Sequence, residues 1–125
     1  MTARQHIYNI LRGLKGRGAR KRDLKNAKAF IEMCLGETGT TICAYCEKVV
    51  DGTNFSLDHR IPVSRGGPHT MINLAICCKR CNMAKGALSS SEFVGLLEDL
   101  ADRNITKYVI PRLIAAGGAF RWRRR

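Results

Sequence analysis

The order of apolar and polar residues predicts helices toward both ends of the chain and short extended runs between them. The first helix is predicted over residues 3–13, and three glycines are expected to end it: Gly13, Gly16 and Gly18. A second helix is predicted over residues 24–35, because its apolar residues recur at spacings of three and four and Asp23 can cap its start.

Two short extended runs follow, at residues 47–50 and 55–59. The Asp-Gly pair between them favours a tight turn, so the two runs are predicted to form a β-hairpin. Residues 62–68 are too rich in Pro and Gly for regular structure, and a short helix is predicted from Cys78 to Gly86.

The C-terminal third is predicted to be helical. Ser89 and Glu92 have the spacing of a capping box, which would begin a helix that runs to about Ala101. A last helix is predicted over residues 105–116, interrupted at Pro111. Helices on both sides of short strands predict an α+β fold.

Composition does not change the predicted fold, but the net charge indicates what kind of partner the protein binds. The 125 residues, 45% of them hydrophobic, fit one domain with a core. Lys and Arg number 22 against 10 Asp and Glu, a formal net charge of +12, which predicts a polyanionic partner: nucleic acid first, an anionic membrane surface second. Since no apolar run is long enough for a signal peptide or a membrane span, a soluble cytoplasmic protein is expected.

The positive charge is concentrated at the two ends of the chain. Residues 1–28 hold nine Lys and Arg side chains against one acid, Asp23, and the last five residues are Arg-Trp-Arg-Arg-Arg. Basic ends of this kind suit phosphates on either side of a central site. Trp122 is equally compatible with a disordered tail and with stacking on nucleic-acid bases.

Four of the six cysteines form two Cys-x-x-Cys pairs separated by 31 residues: Cys43 with Cys46, and Cys78 with Cys81. Each pair can present two sulfurs to one ion, and zinc prefers a closed tetrahedral set of four thiolates. A structural zinc site is therefore predicted. Cys34 and Cys77 lie in apolar runs and are expected to be buried in the core.

Candidate catalytic residues lie between the two cysteine pairs and directly after the second pair. Asp58 and His59 end the second extended run, and Asn82 directly follows Cys81. Carboxylate and amide oxygens are hard ligands that suit Mg²⁺, and a neutral imidazole can take a proton from water that attacks phosphorus. This set is sufficient for hydrolysis of a phosphodiester. His69, in a polar loop, is expected to be solvated rather than a metal ligand.

These motifs resemble the HNH endonuclease family in its zinc-ribbon-bearing branch. The resemblance rests on Cys-x-x-Cys, Asp-His-x-x-Pro-x-Ser-x-Gly-Gly, Asn-Leu and Cys-x-x-Cys-Asn, over about residues 42–86. It implies a ββα-metal nuclease core on the four-cysteine zinc site. A basic helical arm at residues 1–41 would precede this core, and helices with an Arg-rich tail at residues 87–125 would follow it, within a single structural domain.

The same resemblance implies roles for individual residues. His59 matches the general base, and Asp58 and Asn82 match the ligands of a catalytic Mg²⁺ or Mn²⁺. Asn73 matches the Asn that steadies the loop bearing the base. Many members carry His at the position of Asn82, so the resemblance makes this chain an H-N-N variant. Lys85 would touch phosphate. Further nucleic-acid contacts are expected from basic residues beside the site and at both ends: Arg60, Arg65, Lys79, Arg80, Arg20, Lys21, Arg22, Arg121 and Arg123.

The leading hypothesis is a metal-dependent endonuclease that acts on double-stranded DNA as a monomer or weak dimer. It would nick with little sequence preference, because no segment predicts an element for base readout. The small format resembles HNH proteins encoded by phages and prophages, so other phage DNA-processing proteins are expected partners. Two alternatives stay open: a non-catalytic zinc-ribbon nucleic-acid-binding module, and a subunit that tethers a phage packaging or recombination machine to DNA.

Overall fold

The structure, a computed structural model, describes residues 1–102. This part of the chain contains four α-helices and four β-strands: α1 (Ala3–Gly16), α2 (Lys21–Leu35), β1 (Thr40–Ile42), β2 (Val49–Asp51), β3 (Phe55–His59), β4 (Leu74–Cys78), α3 (Lys79–Lys85) and α4 (Ser90–Asp102). The predicted α+β fold is confirmed. The predicted helix at residues 105–116 and the tail residues Arg121, Trp122 and Arg123 lie outside the described residues.

Helix α1 is longer than its glycines predicted. Thr2 caps its start by accepting a hydrogen bond from the Gln5 N–H at 3.0 Å, and the helix continues through Gly13 to Gly16. Helical propensity is a weak preference that packing overrides, and Leu14, in the same turn as Gly13, is completely buried in the core.

Helix α2 begins at Lys21, three residues before the predicted start. The Arg20 N–H donates to the Asp23 carboxylate at 2.9 Å, so Asp23 acts from the first turn of the helix instead of preceding it. Its negative charge also suits the N-terminal end of the helix dipole.

The predicted hairpin between residues 47–50 and 55–59 is wrong. Strand β2 pairs antiparallel with β1, with Thr41 opposite Val50, whereas β3 pairs antiparallel with β4, with Leu57 opposite Ile76. Side chains within residues 51–54 close the intervening turn, but the turn carries the chain from one sheet to the other. The reason is burial: β4 is an apolar run that covers β3 on a buried sheet.

The core lies between the helical N-terminal segment and the β3–β4 pair. Its buried residues come from both regions: Leu14, Ala19, Ala27, Ile31, Leu35, Val50, Phe55, Leu57, Leu74 and Ile76. His6 adds a polar contact, since its Nε2 lies 2.7 Å from the Phe55 carbonyl oxygen. The N-terminal helices are therefore packed against the β3–β4 pair, in which β3 carries Asp58 and His59.

Helix α3 follows β4 without a loop, which completes a β3–β4–α3 unit. Cys78 is both the last residue of β4 and the N-cap of α3. The predicted capping box of α4 is present, because Ser89 and Glu92 exchange hydrogen bonds at 2.8 and 3.2 Å. In residues 1–102, no helix combines the length and hydropathy that a membrane span requires.

Candidate functional site

Two short segments bring the four predicted cysteines together. Cys43 and Cys46 lie in the turn between β1 and β2, and Cys78 and Cys81 lie where β4 meets α3. All four sulfurs lie within 4.8 Å of one another, and those of Cys46 and Cys78 are 3.7 Å apart. Sulfurs held about 2.3 Å from a tetrahedral zinc ion would be about 3.8 Å apart, so the cluster fits zinc.

Backbone N–H groups favour the ionised form that a metal needs. The N–H groups of Tyr45 and Cys46 point at the Cys43 sulfur from 3.4 and 3.5 Å. Burial opposes ionisation of Cys43, but these backbone hydrogen bonds outweigh it and lower its pKa to about 7. Burial raises the pKa of Cys81, which is the ordinary behaviour of a thiol crowded by other thiols.

A cavity of about 280 Å³ gathers three of the four predicted catalytic residues, and Lys85 also lines it. Asp58 and His59 reach it from the end of β3, and Asn82 reaches it from α3. The loop after β3 supplies Pro62, Val63 and Ser64 to the same wall. The β3–β4–α3 unit thus brings a carboxylate, an imidazole and an amide to one opening.

Asp58 is buried, and each of its carboxylate oxygens has a partner. One carboxylate oxygen accepts a hydrogen bond from the Tyr45 hydroxyl at 2.5 Å, and the other lies 3.2 Å from the Lys85 ammonium. Tyr45 is itself held by Ser90, whose hydroxyl is 2.6 Å away. Each carboxylate oxygen has two lone-pair directions, so these contacts leave capacity for a cation.

His59 is paired with a second imidazole. Its Nε2 lies 3.0 Å from Nδ1 of His69, and the two rings meet edge to face. His69 is therefore half-buried and hydrogen-bonded, and the expectation of a solvated loop histidine is wrong. Burial lowers the pKa of His59 to about 4, and the charges of His69, Arg17 and Lys85 act in the same direction. The His59 ring is neutral near pH 7.

Asn73 fastens the loop that follows His59. Its side-chain oxygen accepts from the Ile61 N–H at 2.9 Å, and its amide donates to the carbonyl oxygens of Ile61 and Pro68 at 3.1 and 2.9 Å. Gly67 lies so close that a Cβ there would collide with the Ile61 carbonyl. One buried amide and one glycine thus hold both ends of the loop.

Lys85 does not reach the surface, in contrast to the expectation that it touches phosphate. It is completely buried, and its ammonium donates to the His59 carbonyl oxygen at 3.0 Å as well as pairing with Asp58. A long cation at the end of α3 can bridge these groups because β3 ends directly beside the helix. Its charge therefore serves the interior of the site.

The remaining basic residues are mostly exposed, as nucleic-acid contacts require. Arg65 is also exposed, but its guanidinium pairs with the Glu92 carboxylate at 2.5 Å. Arg80 borders a separate apolar cavity of about 360 Å³ between the cysteine cluster and α4. The others have exposed side chains without a shared cavity: Arg60, Lys79, Arg20, Lys21 and Arg22.

Sequence reasoning missed three residues that the structure places at the site. Tyr45 lies inside the first cysteine pair, His69 was assigned to solvent, and Arg17 was counted only as part of the basic N-terminal segment. No local pattern signals the direction of these side chains. Only the packing of α1, the cysteine turn and the 60–73 loop around β3 brings them together.

Comparison with known proteins identifies a family for this arrangement. Residues 43–95 match the sequence model of the family described as HNH endonuclease. A segment of 45 residues is 40% identical to the CRISPR-associated endonuclease Cas9 of Corynebacterium diphtheriae, covering 35% of this chain and 4% of that much longer protein. The resemblance predicted from the motifs is confirmed for residues 43–95, which match the HNH endonuclease family.

Proposed function

We propose that this protein is a divalent-metal-dependent DNA endonuclease. The observation that carries the proposal is the cavity lined by Asp58, His59 and Asn82, within the segment that matches the HNH endonuclease family. The similar protein from Corynebacterium diphtheriae is also named an endonuclease. The net charge of +12 favours a polyanionic substrate such as double-stranded DNA.

His59 is the proposed general base. With its proton on Nε2, the ring donates to His69 and keeps the Nδ1 lone pair for a water molecule. Because the ring is neutral at pH 7, this lone pair is available to take a proton as the water attacks phosphorus. Asn73 maintains the position of His59 by fastening the loop that begins two residues later.

Asp58 and Asn82 are the residues that would hold a divalent cation. Both line the cavity, and oxygen donors of their types suit Mg²⁺ or Mn²⁺. When bound, such an ion supplies charge that offsets the phosphate and the departing 3′-oxygen. Lys85 and Tyr45 keep the Asp58 carboxylate in a fixed orientation toward the cavity. The product ends are a 5′-phosphate and a 3′-hydroxyl.

Zinc is the proposed occupant of the cysteine cluster, in a structural role. Four thiolates leave no open coordination position, which separates this site from the chemistry at Asp58. Within the described residues, one cavity holds the proposed base and the proposed metal ligands. Each binding event with DNA would therefore cut one strand. The protein is accordingly proposed to nick double-stranded DNA with little sequence preference.

The test is conversion of supercoiled plasmid by the full chain with Mg²⁺ or Mn²⁺, against EDTA. We expect metal-dependent open-circle product, and a loss of about a hundredfold or more in His59→Ala. Equal zinc content and equal DNA affinity in both proteins would assign the loss to chemistry. If neither protein cleaves with any ion but both bind DNA, the non-catalytic binding module replaces this proposal.

A further inference from the structure

One wall of the cavity comes from outside the segment that matches the family. Arg17, in the turn between α1 and α2, lines the cavity together with Asp58, His59 and Asn82. The matching segment begins only at residue 43. The N-terminal helices therefore contribute a side chain to a site whose other parts belong to the family motif.

The backbone at Arg17 is fixed by the core. Its N–H donates to the Leu14 carbonyl at 2.9 Å, and the Ala19 N–H donates to the same oxygen at 3.1 Å. Leu14 and Ala19 are both buried, and Gly18 takes the positive φ of 93° that this turn requires. The turn is thus held on both sides, and Arg17 is presented at a constant place.

The charges around the cavity leave Arg17 available for a ligand. Lys85 also lines the cavity, but it is completely buried and its ammonium is held by the Asp58 carboxylate and the His59 carbonyl oxygen. Arg17 is exposed, and within residues 1–102 it forms no ion pair. A guanidinium presents a planar set of donors that matches two oxygens of a phosphate.

We propose that Arg17 binds a non-bridging oxygen of the phosphodiester in the cavity. The inference rests on the proposed nuclease function and deepens it, because it assigns the substrate phosphate to a residue of the N-terminal helices. Arg17 would hold the phosphate in position for attack by water, while the exposed surface cations bind the rest of the duplex. Its contribution would be the same for every phosphodiester, whatever the base sequence.

A small substrate separates this role from general attraction to DNA. Bis(p-nitrophenyl) phosphate carries one diester and can enter the cavity without touching the outer basic surface. For this substrate we expect kcat/KM to fall about ten- to a hundredfold in Arg17→Ala, the effect of losing a charged hydrogen bond, and less in Arg17→Lys. The matched control is Arg12→Ala, which removes an exposed arginine of α1 outside the cavity and should leave kcat/KM for this substrate unchanged. Equal values for Arg17→Ala and Arg12→Ala would overturn the proposal.

A second measurement keeps the inference testable if the wild-type protein does not cleave. In the His59→Ala full chain, ¹⁵N NMR follows the arginine Nε–H resonances during titration with the dinucleotide TpT. The Arg17 resonance is assigned by its loss in Arg17→Lys. We expect it to shift as TpT is added and to stop shifting once the site is saturated. If the wild-type protein does not cleave but the Arg17 resonance shifts, the nuclease proposal is refuted and the phosphate site is retained. If the resonance does not shift, the phosphate site alone is refuted.

Discussion

The cysteine cluster and the Asp58 cavity share helix α3 but are built in different ways. The cluster takes its ligands from two short segments of four residues each, and backbone N–H groups point at its sulfurs. The cavity takes its side chains from β3, the loop after β3, α3 and the turn after α1, and it depends on buried polar contacts to hold them. A locally determined site is set by spacing, whereas the cavity exists only when the whole domain is packed.

The largest effect should come from breaking the cluster. Cys43→Ser replaces a buried sulfur with a hydroxyl that is a poor zinc ligand. Because zinc binding in small domains supplies on the order of 10 kcal/mol of folding free energy, we expect the cooperative thermal transition to disappear. Circular dichroism melting and zinc content measure this outcome.

The control for this variant is Cys34→Ser, which removes a thiol of α2 outside the cluster. It should retain zinc and a cooperative transition. A Cys43→Ser protein that melts and binds zinc like the wild type would refute a structural role for the cluster.

A smaller loss is expected in the part of the cavity that depends on Asn73. Asn73→Ala leaves the Ile61 N–H and two carbonyl oxygens without their side-chain partner, which should cost about 1–3 kcal/mol of unfolding free energy. Unlike the cluster variant, it should keep zinc, because the cysteines lie on other segments. Denaturant unfolding with parallel zinc analysis separates the two regions.

Asn54→Ala is the matched control for Asn73→Ala, since Asn54 accepts one exposed hydrogen bond in the turn after β2. Its cost should stay below about 1 kcal/mol. Equal losses in the two variants would mean that burial of the Asn73 amide contributes nothing to the loop.

The smallest effect, confined to catalysis, is expected at His69. His69→Ala removes the partner of His59 Nε2, and kcat for plasmid nicking should fall about tenfold as the base loses its fixed orientation. KM should change little, because His69 is not expected to touch DNA. His69→Asn keeps an acceptor close to the position of Nδ1 and should recover most of the rate. Equal activity in the two variants would assign His69 a packing role only.

The contrast between the two regions also explains what could be predicted from the sequence. Cys-x-x-Cys spacing places two sulfurs together whatever the rest of the fold does, so the cluster could be predicted from residue numbers. The capping box at Ser89 and Glu92 and the start of α3 are local features of the same kind.

Features that depend on distant packing could not be predicted. The Asp-Gly turn indicated a hairpin, but the choice of partner strand follows from burying the apolar run Leu74–Cys78 against β3. Lys85 was predicted to be a surface cation, because the residues next to it in sequence do not reveal its buried partners, the Asp58 carboxylate and the His59 carbonyl oxygen. Arg17 lies so far from the motif that only the fold connects them.

The packing of α1 and α2 has a consequence for any attempt to transfer the matching segment into another protein. Leu14, Ala27, Ile31 and Leu35 cover the apolar face of the strands, yet all four lie before residue 43. A fragment cut at the boundaries of the family match would expose that face to water and invite aggregation. The segment that matches the family is therefore smaller than the segment that folds as one body. A chimaera should carry α1 and α2 along with the motif.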